Sequence, residues 1–244
     1  MNALISQTRI ELKLFSRDIM QLFFTFILPA ALFVMFGFMF SNVSYNGVPY
    51  FEKYIPAMIS IIILNTTLFT LGVQMVTDRE KGVLRRLRGT PLKPWMMFFG
   101  VSLKGLIAVL VGAIEIIILA YLVFDIKPSE YLLSEFIMII FVYICFSSLG
   151  FLITSVSSKI GVSLGIAFIL MYIMMFLSGT TIPLEQMPSI VKSISHYIPL
   201  THVHELLELS WRGVSLSNSI LSFAVLIGMF IVCMFLSSKF FKWE

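Results

Sequence analysis

The sequence predicts an all-α integral membrane protein. It should have six transmembrane helices, an N-terminal amphipathic helix in the membrane interface, a cytoplasmic helix between spans 2 and 3, and a broken, re-entrant external segment between spans 5 and 6. Three observations predict this. Apolar residues make up 59% of the chain and charged ones only 12%, against about 25% charged in ordinary soluble domains. The apolar residues gather into six runs, near 21–41, 54–76, 96–124, 131–156, 160–178 and 219–239. Each is long enough, at about 1.5 Å per residue, to cross about 30 Å of hydrocarbon. The basic residues then divide unevenly between the two sides these runs define. Twelve fall on one side (Arg9, Lys13, Arg17, Arg79, Lys81, Arg85, Arg86, Arg88, Lys93, Lys159, Lys239 and Lys242) and four on the other (Lys53, Lys127, Lys192 and Arg212). An excess of Lys and Arg marks the cytoplasmic side. Both termini are therefore expected in the cytoplasm of a multi-pass protein of the plasma membrane, with residues 1–244 forming a single transmembrane domain. The net charge of +4 follows from this topology and gives no reason to expect nucleic acid as a partner.

Taken in order, Asn2 to Gln21 is not a signal peptide, because charges continue to Asp18 and no small-residue cleavage site follows an apolar core. Leu4, Ile5, Thr8, Leu12, Phe15 and Ile19 recur at helical spacing, while Arg9, Lys13 and Arg17 repeat every four residues. This predicts a helix lying in the inner interface, apolar face in lipid and basic face toward anionic headgroups. Lys104 falls two turns into the third span, where it is expected to snorkel back to the inner interface.

Between spans 2 and 3, Thr77 to Trp95 is a long polar run holding six of the seventeen basic residues. Thr77 and Glu80 have the spacing of a capping box, so a helix is expected to begin there. It should end at Gly89 and Thr90-Pro91. Such a helix carries Val83, Leu84 and Leu87 on one side and arginines on the rest, a contact surface for something in the cytosol.

Residues 179–218 are too apolar for a free loop. Pro183, Pro188 and Pro199 divide the segment into short helices at best, and Ile190, Val191, Ile194, Tyr197 and Ile198 would let one of them dip into the outer leaflet. Non-helical backbone at that depth survives only under a cover of protein or in a water-filled cavity. The segment is a candidate external gate built around Pro183, Pro188, Ile194 and Pro199.

The order Glu80-x-Gly82-x-Leu84-x-x-Leu87-x-x-Thr90-Pro91, placed between spans 2 and 3, resembles the coupling helix of the ABC-2 type transporter permeases. The run Ser178-Gly179, Pro183-Leu184, Met187-Pro188 and then Tyr197 to His202 is similar to the stretch after the fifth span in the same family, with Ile198 where Asn is frequent. The resemblance implies the membrane subunit of an ABC exporter that pairs with a second permease subunit, as a homodimer, in a bacterial membrane. It also implies an ABC ATPase subunit, in two copies, docked on the coupling helices through Glu80, Gly82, Val83, Leu84, Leu87, Thr90 and Pro91. No G-x-x-x-x-G-K-[ST] occurs in the chain, so no phosphate-binding loop is available. The chain is expected to be no enzyme and to hold no cofactor, with ATP and Mg bound by the partner.

Other constellations carry less. Gly161-Val-Ser163-Leu-Gly165 fits G-x-S-x-G, but all three histidines, His196, His202 and His204, lie in the external segment. No base is placed to activate Ser163, and the two glycines are read as a close packing face. His202, His204, Glu205 and Glu208 lack the further ligands that a metal would need. Cys145 and Cys233 sit in apolar runs as packing residues. Glu115, well inside the third span, is a candidate for the transport path; Asn65, Thr66 and Gln74 on span 2 are its alternative partners. The function expected is outward movement of an amphipathic or hydrophobic compound, a drug, antibiotic or peptide, when the ATPase binds and hydrolyses ATP. The alternatives are a lipid-linked glycan exporter, a secondary ion-driven carrier using Glu115, and a structural scaffold.

Overall fold

Span 2 (Tyr50–Glu80) packs against spans 1, 3, 4 and 5, while span 6 packs on span 4. The computed structural model describes residues 2–41, 43–45, 47–83, 94–182 and 184–240. The remaining spans are span 1 (Phe23–Phe40), span 3 (Phe98–Phe124, within a helix from Pro94), span 4 (Leu132–Val156), span 5 (Ile160–Leu177) and span 6 (Ile220–Phe240). Two-residue strands Ser44–Tyr45 and Val48–Pro49 pair antiparallel between spans 1 and 2.

Span 2 runs 31 residues, about 46 Å at 1.5 Å per residue and well beyond the hydrocarbon thickness. That length removes the expected capping box. Thr77 is inside the helix, its hydroxyl donating back to the Val73 carbonyl at 2.9 Å, because a Thr-x-x-Glu spacing fits a helix interior as well as a start. The helix stops instead at Lys81 and Gly82, where Gly82 takes φ +71°, the left-handed conformation that only glycine adopts freely.

In its middle, from Thr66 to Val73, span 2 widens into a π-helical stretch. Span 4 fits against this stretch through glycine. A Cβ built on Gly150 would stand 2.4 Å from the Thr67 carbonyl oxygen, so the two backbones come this close only because residue 150 carries no side chain. Thr154 then donates both to its own Gly150 carbonyl at 3.0 Å and across to the Gly72 carbonyl at 3.2 Å. Around this contact lies the core: Ile59, Ile63, Leu68 and Leu71 of span 2, Ile116 of span 3, Ile139 and Phe146 of span 4, and Phe33 of span 1. Phe33 stacks on Tyr54 with ring centres 5.2 Å apart. Cys145 and Cys233 are free thiols buried in the same core.

The helix Asn2–Phe15 packs on span 3 through Thr8, Glu11 and Phe15, a buried stripe at helical spacing that leaves Ile10 and Leu14 exposed. Lys104 does not snorkel. It is buried, and its ammonium lies 2.9 Å from Glu11 Oε2. The periodicity of the N-terminal helix hid this pair, because Glu11 is a lone acid among the apolar positions.

After span 5 the chain forms a 3-10 turn (Leu184–Gln186), a short helix (Ser189–Ser195) and the helix Pro199–Trp211. Pro188 and Pro199 stand at helix starts, where a missing N–H costs nothing. The Pro199–Trp211 helix buries Leu200, Val203, Leu206, Leu207 and Trp211 against spans 2, 4 and 6.

Candidate functional site

The two ends of span 2 each carry a polar site. At the Glu80 end, Arg79 donates a hydrogen bond to the Ser157 carbonyl, in the connection between spans 4 and 5. One residue on, Glu80 Oε2 accepts from the Ile160 N–H at 2.6 Å. Span 5 starts at Ile160 with no cap from its own neighbouring side chains, so Glu80 satisfies one of the free amides of that first turn and sets a negative charge at its positive end. After the turn at Gly82, Val83 returns to helical conformation. Leu84, Leu87, Thr90 and Pro91 lie outside the described residues. Behind this end, Gln74 donates to Asp78 at 3.1 Å and Gln21 to Gln74 at 3.4 Å, and Asp78 lies within electrostatic reach of the Glu11–Lys104 pair.

At the Tyr50 end, a cavity of about 360 Å³ opens between the first turns of span 2, residues 178–184 and residues 196–208. Tyr50, Tyr54, Ala57 and Leu184 give it an aromatic and apolar side; Lys53, Thr180, Thr181, Thr201, His196, His204, Glu205 and Glu208 give it a polar one. Beside it, His202 is buried. Its Nε2 donates to the His196 carbonyl at 3.0 Å, and its Nδ1 lies 2.8 Å from Ser222 Oγ of span 6. Ser219 and Ser222 donate to the two oxygens of Glu205 at 2.8 and 2.7 Å. Glu208 accepts from Arg212 at 3.1 Å, and Arg212 reaches Glu52 at 3.4 Å. These bonds sew the Pro199–Trp211 helix to spans 2 and 6. Among the described residues, no group of three or more His, Cys, Asp or Glu could hold a metal ion.

Of the proposed gate residues, Pro188 and Pro199 start helices and Ile194 is exposed on the short helix between them, while Pro183 lies outside the described residues. Glu115 is half-buried on a face of span 3 that exposes Val111, Ile118 and Leu122. It bonds to none of the partners expected for it: Gln74 is engaged with Gln21 and Asp78, and Asn65 Oδ1 and Thr66 Oγ1 are buried without a hydrogen bond. Ser163 is buried and donates to the Ile160 carbonyl at 2.8 Å, while a Cβ on Gly161 or Gly165 would meet nothing within 4 Å. Among the described residues, nothing packs on that glycine face.

Sequence reading missed three features: the Lys53 side of the cavity, the His202–Ser222–Glu205 set, and Glu135. The last is fully enclosed near the start of span 4, beside Ser210, with no well-formed hydrogen bond to either oxygen. Only His202 and Glu205 carried a signal, their i, i+3 spacing.

A model of the ABC-2 type transporter family matches residues 3–211. The Bacillus subtilis (strain 168) protein named "Putative transport permease YvfS" is 28% identical over 209 residues, covering 83% of this chain and 82% of that protein. The Escherichia coli (strain K12) protein named "Probable multidrug ABC transporter permease YbhR" is 23% identical over 148 residues, covering 61% of this chain and 40% of that protein.

Proposed function

Since this chain belongs to the ABC-2 type transporter family, we propose that it is the membrane-spanning permease of an ATP-driven exporter, with residues 1–244 acting as one transmembrane domain. The single observation that carries this is a six-span bundle, matched to that family over most of its length, whose second span runs past the hydrocarbon thickness and ends at Gly82 beside a basic segment. Hydrolysis belongs to a separate ATPase that binds ATP and Mg, in two copies under a permease homodimer. Glu80, Gly82, Val83, Leu84, Leu87, Thr90 and Pro91 form the root and body of the coupling segment. The protein sits in a bacterial cell membrane with both termini in the cytoplasm and the N-terminal helix at the lipid interface. Spans 1, 5 and 6, largely exposed in the single chain, then offer faces to lipid and to the second copy.

The cargo is an amphipathic or hydrophobic compound, a drug, antibiotic or peptide. The name of the multidrug relative and the exposed ring ladder Phe168, Tyr172 and Phe176 on span 5 support it. Pro183, Pro188, Ile194 and Pro199 form the external gate, and Glu115 belongs to the transport path, a role supported by its half-buried position on the exposed face of span 3. A lipid-linked glycan exporter uses the same machinery with another cargo. An ion-driven carrier would need Glu115 alone to hold its cation, since no described residue bonds to that side chain.

The test is biochemical. The chain purified alone is expected to hydrolyse no ATP above a detergent blank, and from its native membrane to co-purify as a pair with two ATPase copies. A monomer with its own nucleotide turnover would overturn the assignment.

A further inference from the structure

Span 5 is loosely held within the chain. Along its length only Ser163, Ala167 and Met174 are buried, and partway up the Phe168 ring meets Phe69 of span 2 at 5.1 Å. Its start is gripped differently, by two polar bonds of opposite sense from consecutive residues. Arg79 donates to the Ser157 carbonyl and Glu80 accepts from the Ile160 N–H. Together they hold the connection 157–159 at both of its ends, and Glu80 supplies the cap that the first turn of span 5 lacks. The same two residues are the last of span 2 before the Gly82 turn, so a displacement of the segment that follows acts on them first. Above them the π-helical stretch Thr66–Val73 provides a joint, because wide turns depart from the regular i to i−4 ladder. A tilt of the end Gln74–Glu80 at this joint would carry the start of span 5 with it.

We propose that Arg79 and Glu80 are positioning residues, a latch through which the segment after Gly82 moves the start of span 5 and, with it, that span's exposed face. The functional half of this rests on the permease assignment; the bond itself does not. It also changes what Glu80 is for. Its carboxylate holds a helix of its own chain, and its charge need not be read by an ATPase.

Two measurements on the full-length chain test this. In hydrogen exchange, Glu80→Ala is expected to speed exchange of the amides at the start of span 5 about fivefold, the effect of a lost helix cap. Glu80→Gln should recover protection, since its amide oxygen still accepts. In the second, Val162→Cys on the exposed side of span 5 carries a bimane fluorophore, Cys145 and Cys233 being buried. ATP added to the complex with the co-purified ATPase should change the emission in the parent, hardly at all in Glu80→Ala, and again in Glu80→Gln. Unaltered exchange in Glu80→Ala would overturn the latch. A full ATP response in Glu80→Ala would overturn its steering role, and so would a Gln variant that restores protection but not the response, which would make Glu80 a charge contact to the ATPase. If the parent captures no ATPase, the permease assignment and the steering role fall together, while exchange still decides whether the bond exists.

Discussion

Spans 2 and 5 are both apolar enough to cross a membrane, and the less apolar of the two, span 2 (mean hydropathy 1.8 against 2.4), is the more enclosed: 78% of its apolar stretch is buried inside the chain against 17% for span 5 and for span 6. Hydrophobicity does not separate them, because lipid tails are as apolar as a protein core and give no drive for one helix over another. What separates them is the close approach of backbones. Gly150 lets span 4 touch the π-helical turn of span 2, and Gly105 leaves room for the Tyr143 ring, whose hydroxyl donates to the Ser102 carbonyl at 2.7 Å. Gly161 and Gly165 of span 5, four residues apart, have no described residue within 4 Å of where a Cβ would stand. The inner set of spans is built by contact within the chain, and the outer set is left apolar for contact beyond it.

The strongest way to break this division is at the polar contact buried between the N-terminal helix and span 3. Lys104→Met takes away the ammonium that Glu11 faces at 2.9 Å, a loss that costs about 3–5 kcal/mol when one partner of a buried pair is removed. The variant is expected to unfold at a clearly lower temperature in detergent, and adding Glu11→Leu should recover most of the loss. A Lys104→Met protein as stable as the parent would mean that the pair is solvated. Next comes Gly150→Ala, whose Cβ must displace the Thr67 carbonyl at about 1–3 kcal/mol. Gly161→Ala, in open space, should change stability by less than about 0.5 kcal/mol when the chain is a monomer. Equal effects at the two glycines would erase the distinction between inner and outer spans. Between the two glycine changes stands Ser237→Ala, which removes the bond from span 6 to Ser155 at 2.7 Å and should cost about 1 kcal/mol.

Much of this division was written plainly in the chain, and its exceptions have local causes. Each span is an apolar run, so spans 1 and 3–6 lie close to the expected bounds. The apolar run of span 2 covers 54–76 and is flanked by Glu52, Lys53, Asp78 and Arg79. The helix carries them to 50–80 because each has a use: Lys53 lines the cavity, Glu52 meets Arg212, and Arg79 holds Ser157. The helix Pro199–Trp211 is longer than the short pieces expected of residues 179–218; its apolar stripe, Leu200, Val203, Leu206 and Leu207, is not part of that expectation, and its packing against three spans is set by the fold. The cavity could not be read at all, since its walls come from residues 50–57, 178–184 and 196–208, which only the fold brings together. Glu115 illustrates the converse. Its depth was plain, but the side of the helix it occupies depends on packing, and packing turned it away from Asn65 and Gln74.

The most direct measurement of the central claim, that the segment between spans 2 and 3 engages an ATPase, is capture of that ATPase by the full-length chain carrying Leu84→Asp. The six basic residues of the segment remain, and Asp counts for little in membrane orientation, so insertion and pairing should be unchanged. An aspartate buried at the centre of an interface costs several kcal/mol, about a hundredfold or more in affinity at 1.4 kcal/mol per factor of ten. The expected result is a normally inserted dimer that has lost both the ATPase and transport. Wild-type capture and transport by Leu84→Asp, at equal expression, would show the segment to be a charged loop that only fixes topology.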